Sequence, residues 1–180
     1  MFIIKIKLFI FYSKMNISPD NVWDIIKNVK YEDINNLCRT NRQFAQACQT
    51  PQAQSLFRSL QLAHQERKRI EQLLNQLEIN NISFHDLLLK SESPLFNEIA
   101  FPLIDQFDEE YPNIGINRIR SIILSGYDPE FTGQADPVID QLIYQVNKAF
   151  LLEHPYMLPT LQLRLSNILR NANKTLGTLG

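Results

Sequence analysis

The sequence predicts an all-α protein, and three observations support that fold class. Apolar residues after Met15 recur at spacings of three and four, the period of an amphipathic helix. Glycine is scarce, with 5 in 180 residues, which disfavours tight hairpin turns and phosphate-binding loops. At the start of four predicted helices, a helix-capping residue precedes proline, whose fixed φ suits the first helical turn. These pairs are Ser18-Pro19, Thr50-Pro51, Ser93-Pro94 and Asp136-Pro137.

The first half of the chain is predicted to contain three short helices and one long helix. The short helices are expected at Pro19 to about Asn28, Tyr31 to Cys38, and Phe44 to Cys48. The long helix begins at Thr50-Pro51 and is expected to end near Leu77, before Asn80-Asn81. Its apolar stripe follows a four-three alternation and consists of Leu56, Leu60, Ala63, Ile70, Leu74 and Leu77.

The second half is also predicted to be helical. Ser83 with Asp86 resembles a capping box that begins a short helix. Further helices are expected at Pro94 to Phe107, Ile114 to Leu124, Pro137 to Leu152, and Leu161 to about Arg170. Pro102 is expected to kink or split the first of these, and Gly126 is expected to end the second. The last ten residues are expected to fray.

The charge pattern argues against nucleic acid and membrane as partners. The formal net charge is −1, so no global field attracts either of them. The basic run from His64 to Arg69 is interpreted as a solvated helix face, because it is not repeated over several turns and lacks stacking aromatics. The acidic run is interpreted as a solvated linker or an acidic docking loop, and it contains Asp105, Asp108, Glu109 and Glu110.

The residue types needed for catalysis or metal binding do not converge in any motif. The candidate metal ligands are Cys38, Cys48, His64, His85 and His154, and none of the spacings CxxC, HxxxH or HExxH occurs. No GxSxG nucleophile motif is present. The chain is therefore predicted to be neither an enzyme nor a metal- or cofactor-binding protein. The two cysteines are interpreted as buried thiols in a reduced, intracellular compartment, the cytoplasm.

The first fourteen residues, MFIIKIKLFIFYSK, differ from the rest of the chain. The run is too short for a bilayer span, which needs about 20 apolar residues, and it lacks the order of a secretory signal. Alternation around Lys5 and Lys7 permits a strand. The favoured interpretation is that translation begins at Met15, because nothing downstream offers a sheet for a lone strand to join.

Residues 17–57 carry the most specific pattern in the chain. They contain Ile17-Ser18-Pro19-Asp20, Val22-Trp23, Ile25-Ile26, Tyr31-Glu32-Asp33-Ile34, the run LCRTNRQF from Leu37 to Phe44, and Cys48. This order resembles an F-box-like domain, which has a proline-acid start, a first helix of aliphatic pairs, a short acidic-aliphatic helix, a leucine-cysteine-arginine element and a third helix. The form LCRTNRQF followed by a cysteine is similar to versions in proteins of large DNA viruses.

The resemblance implies a non-catalytic adaptor. F-box helices dock onto the Skp-type adaptor of cullin–RING ubiquitin ligases, and the rest of the protein presents a target, which is unknown here. By position, Pro19, Val22, Trp23 and Ile26 are expected to face the adaptor, while Leu37, Cys38 and Phe44 hold the helices together. Trp23 lies about 60° from Ile26 on the helical wheel, so from the residues alone it is equally a core lid or a partner anchor.

The predicted organisation is an extension at residues 1–14, an F-box-like domain at 15–58 and a helical region at 59–180. If the chain is viral, the expected location is the host cytoplasm. The alternative function is a helical scaffold or oligomer that uses the stripe from Leu56 to Leu77 as a packing seam, although such stripes are more often intramolecular core.

Overall fold

A computed structural model of the chain describes residues 18–126 and 136–177. Within these ranges all regular structure is helical, which confirms the all-α fold class. The α-helices are α1 (Pro19–Lys27), α2 (Ile34–Cys38), α3 (Arg42–Cys48), α4 (Pro51–Ile79), α5 (Phe84–Leu87), α6 (Ser93–Glu110), α7 (Ile116–Ser125), α8 (Pro137–Glu153) and α9 (Leu158–Gly177). Two 3₁₀ turns, Tyr31–Asp33 and Pro155–Met157, precede α2 and α9. The hypotheses on residues 1–14, a strand or a start at Met15, lie outside the described residues.

Three of the four predicted helix starts are confirmed by side-chain caps. The Ser18 hydroxyl accepts a hydrogen bond from the backbone N–H of Asn21 at 3.4 Å, and the Thr50 hydroxyl accepts one from Ala53 at 3.3 Å. Each cap satisfies an N–H that has no partner within the helix. Asp136 caps α8 in the same way.

The fourth start is displaced by one residue. Ser93 was expected to cap the helix, but it is the first residue of α6, and Glu92 takes the cap position. The Glu92 side chain does not cap the helix; it accepts a hydrogen bond from the backbone N–H of Leu89 at 2.8 Å instead. The same carboxylate accepts hydrogen bonds from Arg164, a contact between distant residues that the local sequence does not predict.

The helix ends also differ in part from expectation. Asn81 adopts a positive φ of 51° just after α4, and Gly126 adopts a φ of 69° just after α7, so both predicted stops are confirmed. Pro102 is expected to kink or split its helix; the split is wrong, because α6 runs unbroken through this residue, and the kink stays a prediction. The last helix is longer than predicted and continues past Arg170 to Gly177.

The chain packs as two compact units, one ending at Glu66 and the other beginning at Arg67. The boundary falls within α4, later than the predicted division after residue 58. In the first unit, α1 and α2 both pack on α3. Its core consists of Val22, Ile26, Leu37, Phe44, Cys48 and Ala53.

The second unit contains the larger core. Here α6 packs against both α7 and α8. Three phenylalanines meet at the centre of this core, with ring centroids 5.4 Å apart for Phe96 and Phe150 and 5.8 Å apart for Phe84 and Phe96. Tilted and edge-to-face rings at this spacing add to the stabilisation from burial alone.

None of the helices in the described ranges is both long enough and apolar enough to cross a membrane.

Candidate partner-binding site

Helix α1 begins the segment that the sequence singled out. Its charges suit the helix dipole, since Asp20 lies in the first turn and Lys27 in the last. Ser18, the residue before the proline, is the N-cap. The helix is therefore stabilised locally at both ends.

The four predicted contact residues divide into two pairs. Val22 is 4% exposed and Ile26 is fully buried, so both belong to the core of the first unit. Pro19 is exposed, and Trp23 is half-buried with part of its ring against that core. Of the four, only Pro19 and Trp23 therefore offer side-chain surface to a partner.

A narrow face of α1 surrounds the indole ring. Pro19, Trp23 and Lys27 are four residues apart and so lie on one side of the helix; we call this surface the Trp23 face. The Lys27 ammonium lies 5.6 Å from the Trp23 ring centroid, in cation–π range. The same ammonium lies 3.4 Å from the Asp24 carboxylate. The face is thus apolar at its centre and charged at its edge.

The helices of the first unit share a core that includes the residues expected to hold them together. Leu37 and Phe44 are buried in the core of the first unit, and Cys38 packs against it. The Asn41 side chain caps α3 by accepting a hydrogen bond from the Phe44 N–H at 3.0 Å.

The two cysteines are not separate thiols, which corrects the interpretation from sequence. Cys38 ends α2, Cys48 ends α3, and the two are joined by a disulfide with a Cα–Cα separation of 5.9 Å. Each cysteine completes an apolar triplet, and this pattern predicts two separate core residues. What brings them together is the packing of α2 on α3, which local spacing does not reveal.

A second feature of the first unit was missed from sequence. The rings of Tyr31 and His64 lie 4.8 Å apart, and His64 Nδ1 lies 3.0 Å from a Glu32 carboxylate oxygen. These contacts attach the 3₁₀ turn before α2 to α4. The prediction that the basic run is a solvated helix face is confirmed for its remaining residues, 65–69, which are all exposed.

The acidic run lies on α6 rather than in a linker or loop. Asp105 binds Arg120 at 3.0 Å, and the other three acids occupy the last turn of the helix, which ends at Glu110. A hydrogen bond to Glu110 raises the pKa of Tyr111. The run is therefore a helix end with local partners.

The strongest polar cluster of the second unit joins Glu92 to Arg164. The guanidinium donates two hydrogen bonds to the carboxylate, at 2.6 and 2.9 Å, and a third to the Leu87 carbonyl at 2.8 Å. The hydrogen bond from Arg164 holds the pKa of Glu92 below its usual range. Every group in the cluster is paired within the chain, so its role is to fix the connection between α5, α6 and α9.

The histidines and acids do not gather into a metal site within the ranges described. No group of three His, Cys, Asp or Glu side chains there is placed to hold a metal ion. His154 instead packs beside Phe150, with ring centroids 4.9 Å apart, and His85 is half-buried in α5.

Comparisons with protein-family models, with curated proteins and with solved structures find no match for this chain.

Proposed function

We propose that the protein is a non-catalytic adaptor that recruits a target to a cullin–RING ubiquitin ligase. The first unit docks onto a Skp-type adaptor, and the second unit presents the target. The location in this proposal is intracellular, in the host cytoplasm if the chain is viral. The observation that carries the proposal is Trp23, a half-buried tryptophan on an otherwise exposed helix face, within a segment that resembles an F-box.

Trp23 has the properties of a binding anchor. Tryptophan is enriched among residues whose truncation costs a complex at least about 2 kcal/mol. Its ring already rests against the core of the first unit, so little side-chain freedom is lost when a partner covers the other side. Pro19, one turn earlier, adds rigid apolar surface to the same face.

Val22 and Ile26 act indirectly in this proposal. Both are covered by their own unit, so they fix the position and tilt of α1 instead of contacting the partner. The direct contacts then come from Pro19, Trp23 and the Lys27 stem. Asp20 and Asp24 are exposed beside them and place negative charge at the edge of the contact.

Binding of the full-length chain to a purified Skp-type adaptor tests the proposal. Trp23→Ala is expected to weaken binding by about 30-fold or more, the equivalent of a hot-spot residue. Lys27→Glu changes an exposed position and is expected to weaken binding several-fold with an unchanged circular dichroism spectrum. Tyr156→Ala removes an aromatic that is 68% exposed in the second unit, and it serves as the matched control with unchanged affinity.

Two results would overturn the proposal. One is a wild-type chain that fails to bind the Skp-type adaptor at all. The other is a Trp23→Ala protein that keeps wild-type affinity. Because Trp23 supports the core, loss of binding counts only if the melting profile of the variant shows a folded first unit, and Lys27→Glu provides the independent check.

The scaffold alternative gains no support from the long helix. Leu56 packs against the first core, and Ile70, Leu74 and Leu77 are buried in the second, so most of the stripe is intramolecular. A concentration-dependent mass measurement on the wild type and on Leu60→Asp distinguishes the adaptor from the scaffold; Leu60 is half-buried in the wild type. A stable dimer that this substitution abolishes, in a chain that does not bind the adaptor, favours the scaffold.

A further inference from the structure

The disulfide of the first unit belongs to the same core cluster as the residues under the proposed docking surface. Cys48 is only 4% exposed and belongs to the same buried cluster as Val22 and Ile26 of α1. Trp23 packs against that cluster. The bridge therefore joins α2 to α3 at the core that supports the Trp23 face.

The bridge matters to the stability of the first unit because the core of this unit is small. Six buried side chains form the core, and a domain this small buries a smaller share of its surface on folding than a large one does, so its stability is marginal. The bridge closes a short loop, with a sequence separation of 10. Closing such a loop restricts the unfolded chain and stabilises the folded one.

The two cysteines differ in exposure. Cys38 is half-buried, whereas Cys48 is buried. We therefore expect an external thiolate to attack the Cys38 sulfur, with Cys48 as the leaving group. The partner proposed above works inside cells, where thiol reductants keep most cysteines reduced. Whether the disulfide is oxidised or reduced then depends on the redox conditions around the protein.

We propose that the Cys38–Cys48 disulfide is a redox-controlled clamp on the first unit. A dithiol reductant opens the clamp, which lowers the stability of the unit that carries the Trp23 face. Lower stability reduces the fraction of molecules able to bind, and the apparent affinity falls with that fraction. Only this last step, the effect on adaptor affinity, rests on the proposed function.

The chemistry balances with the reductant alone. A thiolate of the dithiol attacks the Cys38 sulfur, the S–S bond breaks, and Cys48 leaves as a thiolate that takes up a proton. The second thiolate of the reductant then attacks its own sulfur in the mixed disulfide and releases Cys38, which is protonated in turn. Two electrons and two protons pass to the protein, and the reductant becomes a cyclic disulfide.

Both reduced cysteines remain compatible with the folded unit. A free cysteine behaves as a small hydrophobic residue, and the other core side chains are unchanged. The hydrogen bond from the Gln54 side chain to the Cys48 carbonyl, at 2.7 Å, does not depend on the sulfur. Opening the clamp is therefore expected to lower stability without abolishing the fold.

Fluorescence of the full-length chain in urea gives a direct test. Trp23 is the only tryptophan, so its emission reports the first unit specifically. Oxidised wild type is compared with wild type treated with dithiothreitol, and thiol titration confirms complete reduction. Reduction is expected to raise the unfolding constant of this unit about 100-fold. The double variant Cys38→Ala/Cys48→Ala is the control, and its transition is expected to be the same with and without dithiothreitol.

The outcomes separate this inference from the proposed function. Equal fluorescence transitions for oxidised and fully reduced wild type overturn the clamp, whatever the adaptor does. Two free thiols in protein prepared under oxidising conditions overturn it as well. A shifted transition in a chain that never binds the adaptor supports the clamp and overturns the proposed function. Adaptor affinity is also measured at a urea concentration where the reduced unit is partly unfolded. If the transition shifts but the oxidised and reduced proteins bind the adaptor equally well there, the claim that the disulfide controls binding is overturned.

Discussion

Two ion pairs of the second unit use the same chemical groups in very different environments. The side chains of Glu92 and Arg164 are 17% and 22% exposed, whereas those of Asp105 and Arg120 are 57% and 43% exposed. Solvent screens the second pair strongly, and pairs of that kind contribute little to stability. The first pair is bidentate and also binds two backbone groups, so losing one partner leaves half-buried polar groups unsatisfied.

We therefore expect Glu92→Gln to lower the free energy of unfolding by about 1.5–3 kcal/mol, the range for hydrogen bonds to charged groups. The matched control, Asp105→Asn, is expected to change it by less than about 1 kcal/mol. Urea denaturation followed by circular dichroism measures both. Equal losses in the two variants would contradict this assignment.

The pH dependence of the Glu92 contribution has a definite sign. Its pKa in the folded protein lies below the ordinary value of 4.5, chiefly because of the hydrogen bond from Arg164. A lowered pKa gives stability that is present above the unfolded-state value and is lost as the pH falls through the folded-state value. The stability difference between wild type and Glu92→Gln is therefore expected to shrink below about pH 4.5.

A second carboxyl group, that of Asp140, also makes the stability of the wild type depend on pH. Burial, followed by repulsion from Asp136 and Glu78, raises the pKa of Asp140, so its effect on stability has the opposite sign. Asp140 is present in both wild type and Glu92→Gln, and its contribution cancels in their difference. A difference that stays constant from neutral pH to pH 3 would rule out the role given to Glu92.

At the scale of the helix, the caps are the features that sequence predicts best. A cap needs only a side chain and backbone N–H groups two or three residues later, so the whole interaction is contained in the local sequence. Asp136 shows this most fully, because one carboxylate oxygen accepts from both Val138 and Ile139 at 3.1 and 3.5 Å.

Removal of the Asp136 cap is expected to destabilise the second unit by about 1 kcal/mol. Asp136→Ala leaves the first N–H groups of α8 without the carboxylate, whereas Asp136→Ser restores a capping oxygen and is expected to recover most of the loss. Thermal unfolding followed by circular dichroism compares the two variants. If Asp136→Ser is as unstable as Asp136→Ala, the contribution comes from charge and not from capping.

Features that depend on contacts between helices were not predictable from sequence. The local pair Ser93-Pro94 predicts a cap at Ser93, but it gives no sign that Glu92 bonds to Arg164, 72 residues away. Local spacing predicts separate thiols for the two cysteines, because only the packing of α2 on α3 brings them together. The helical wheel did place Trp23 at the edge of the core stripe, but it could not show that Val22 and Ile26 are covered by their own unit.

At the scale of the whole molecule, the two cores have no buried residue in common. One contains the six side chains around Phe44, and the other is built around Phe84, Phe96 and Phe150. Phe44 and Phe150 are both fully buried. The disulfide belongs to the first unit alone, so its reduction is expected to act on one core and leave the other in place.

Separate cores predict separate responses to core substitutions. Phe150→Ala is expected to lower the stability of the second unit by about 3–5 kcal/mol, since a fully buried ring leaves a cavity that its neighbours fill only in part. The circular dichroism signal comes mainly from the longer second unit, so its unfolding transition is then expected at a lower urea concentration. The Trp23 fluorescence transition is expected to stay close to that of the wild type. Phe44→Ala is the reciprocal variant and is expected to move the fluorescence transition first. If each substitution shifts both signals by the same amount, α4 couples the units into a single cooperative structure, and the disulfide would then control the stability of the entire chain.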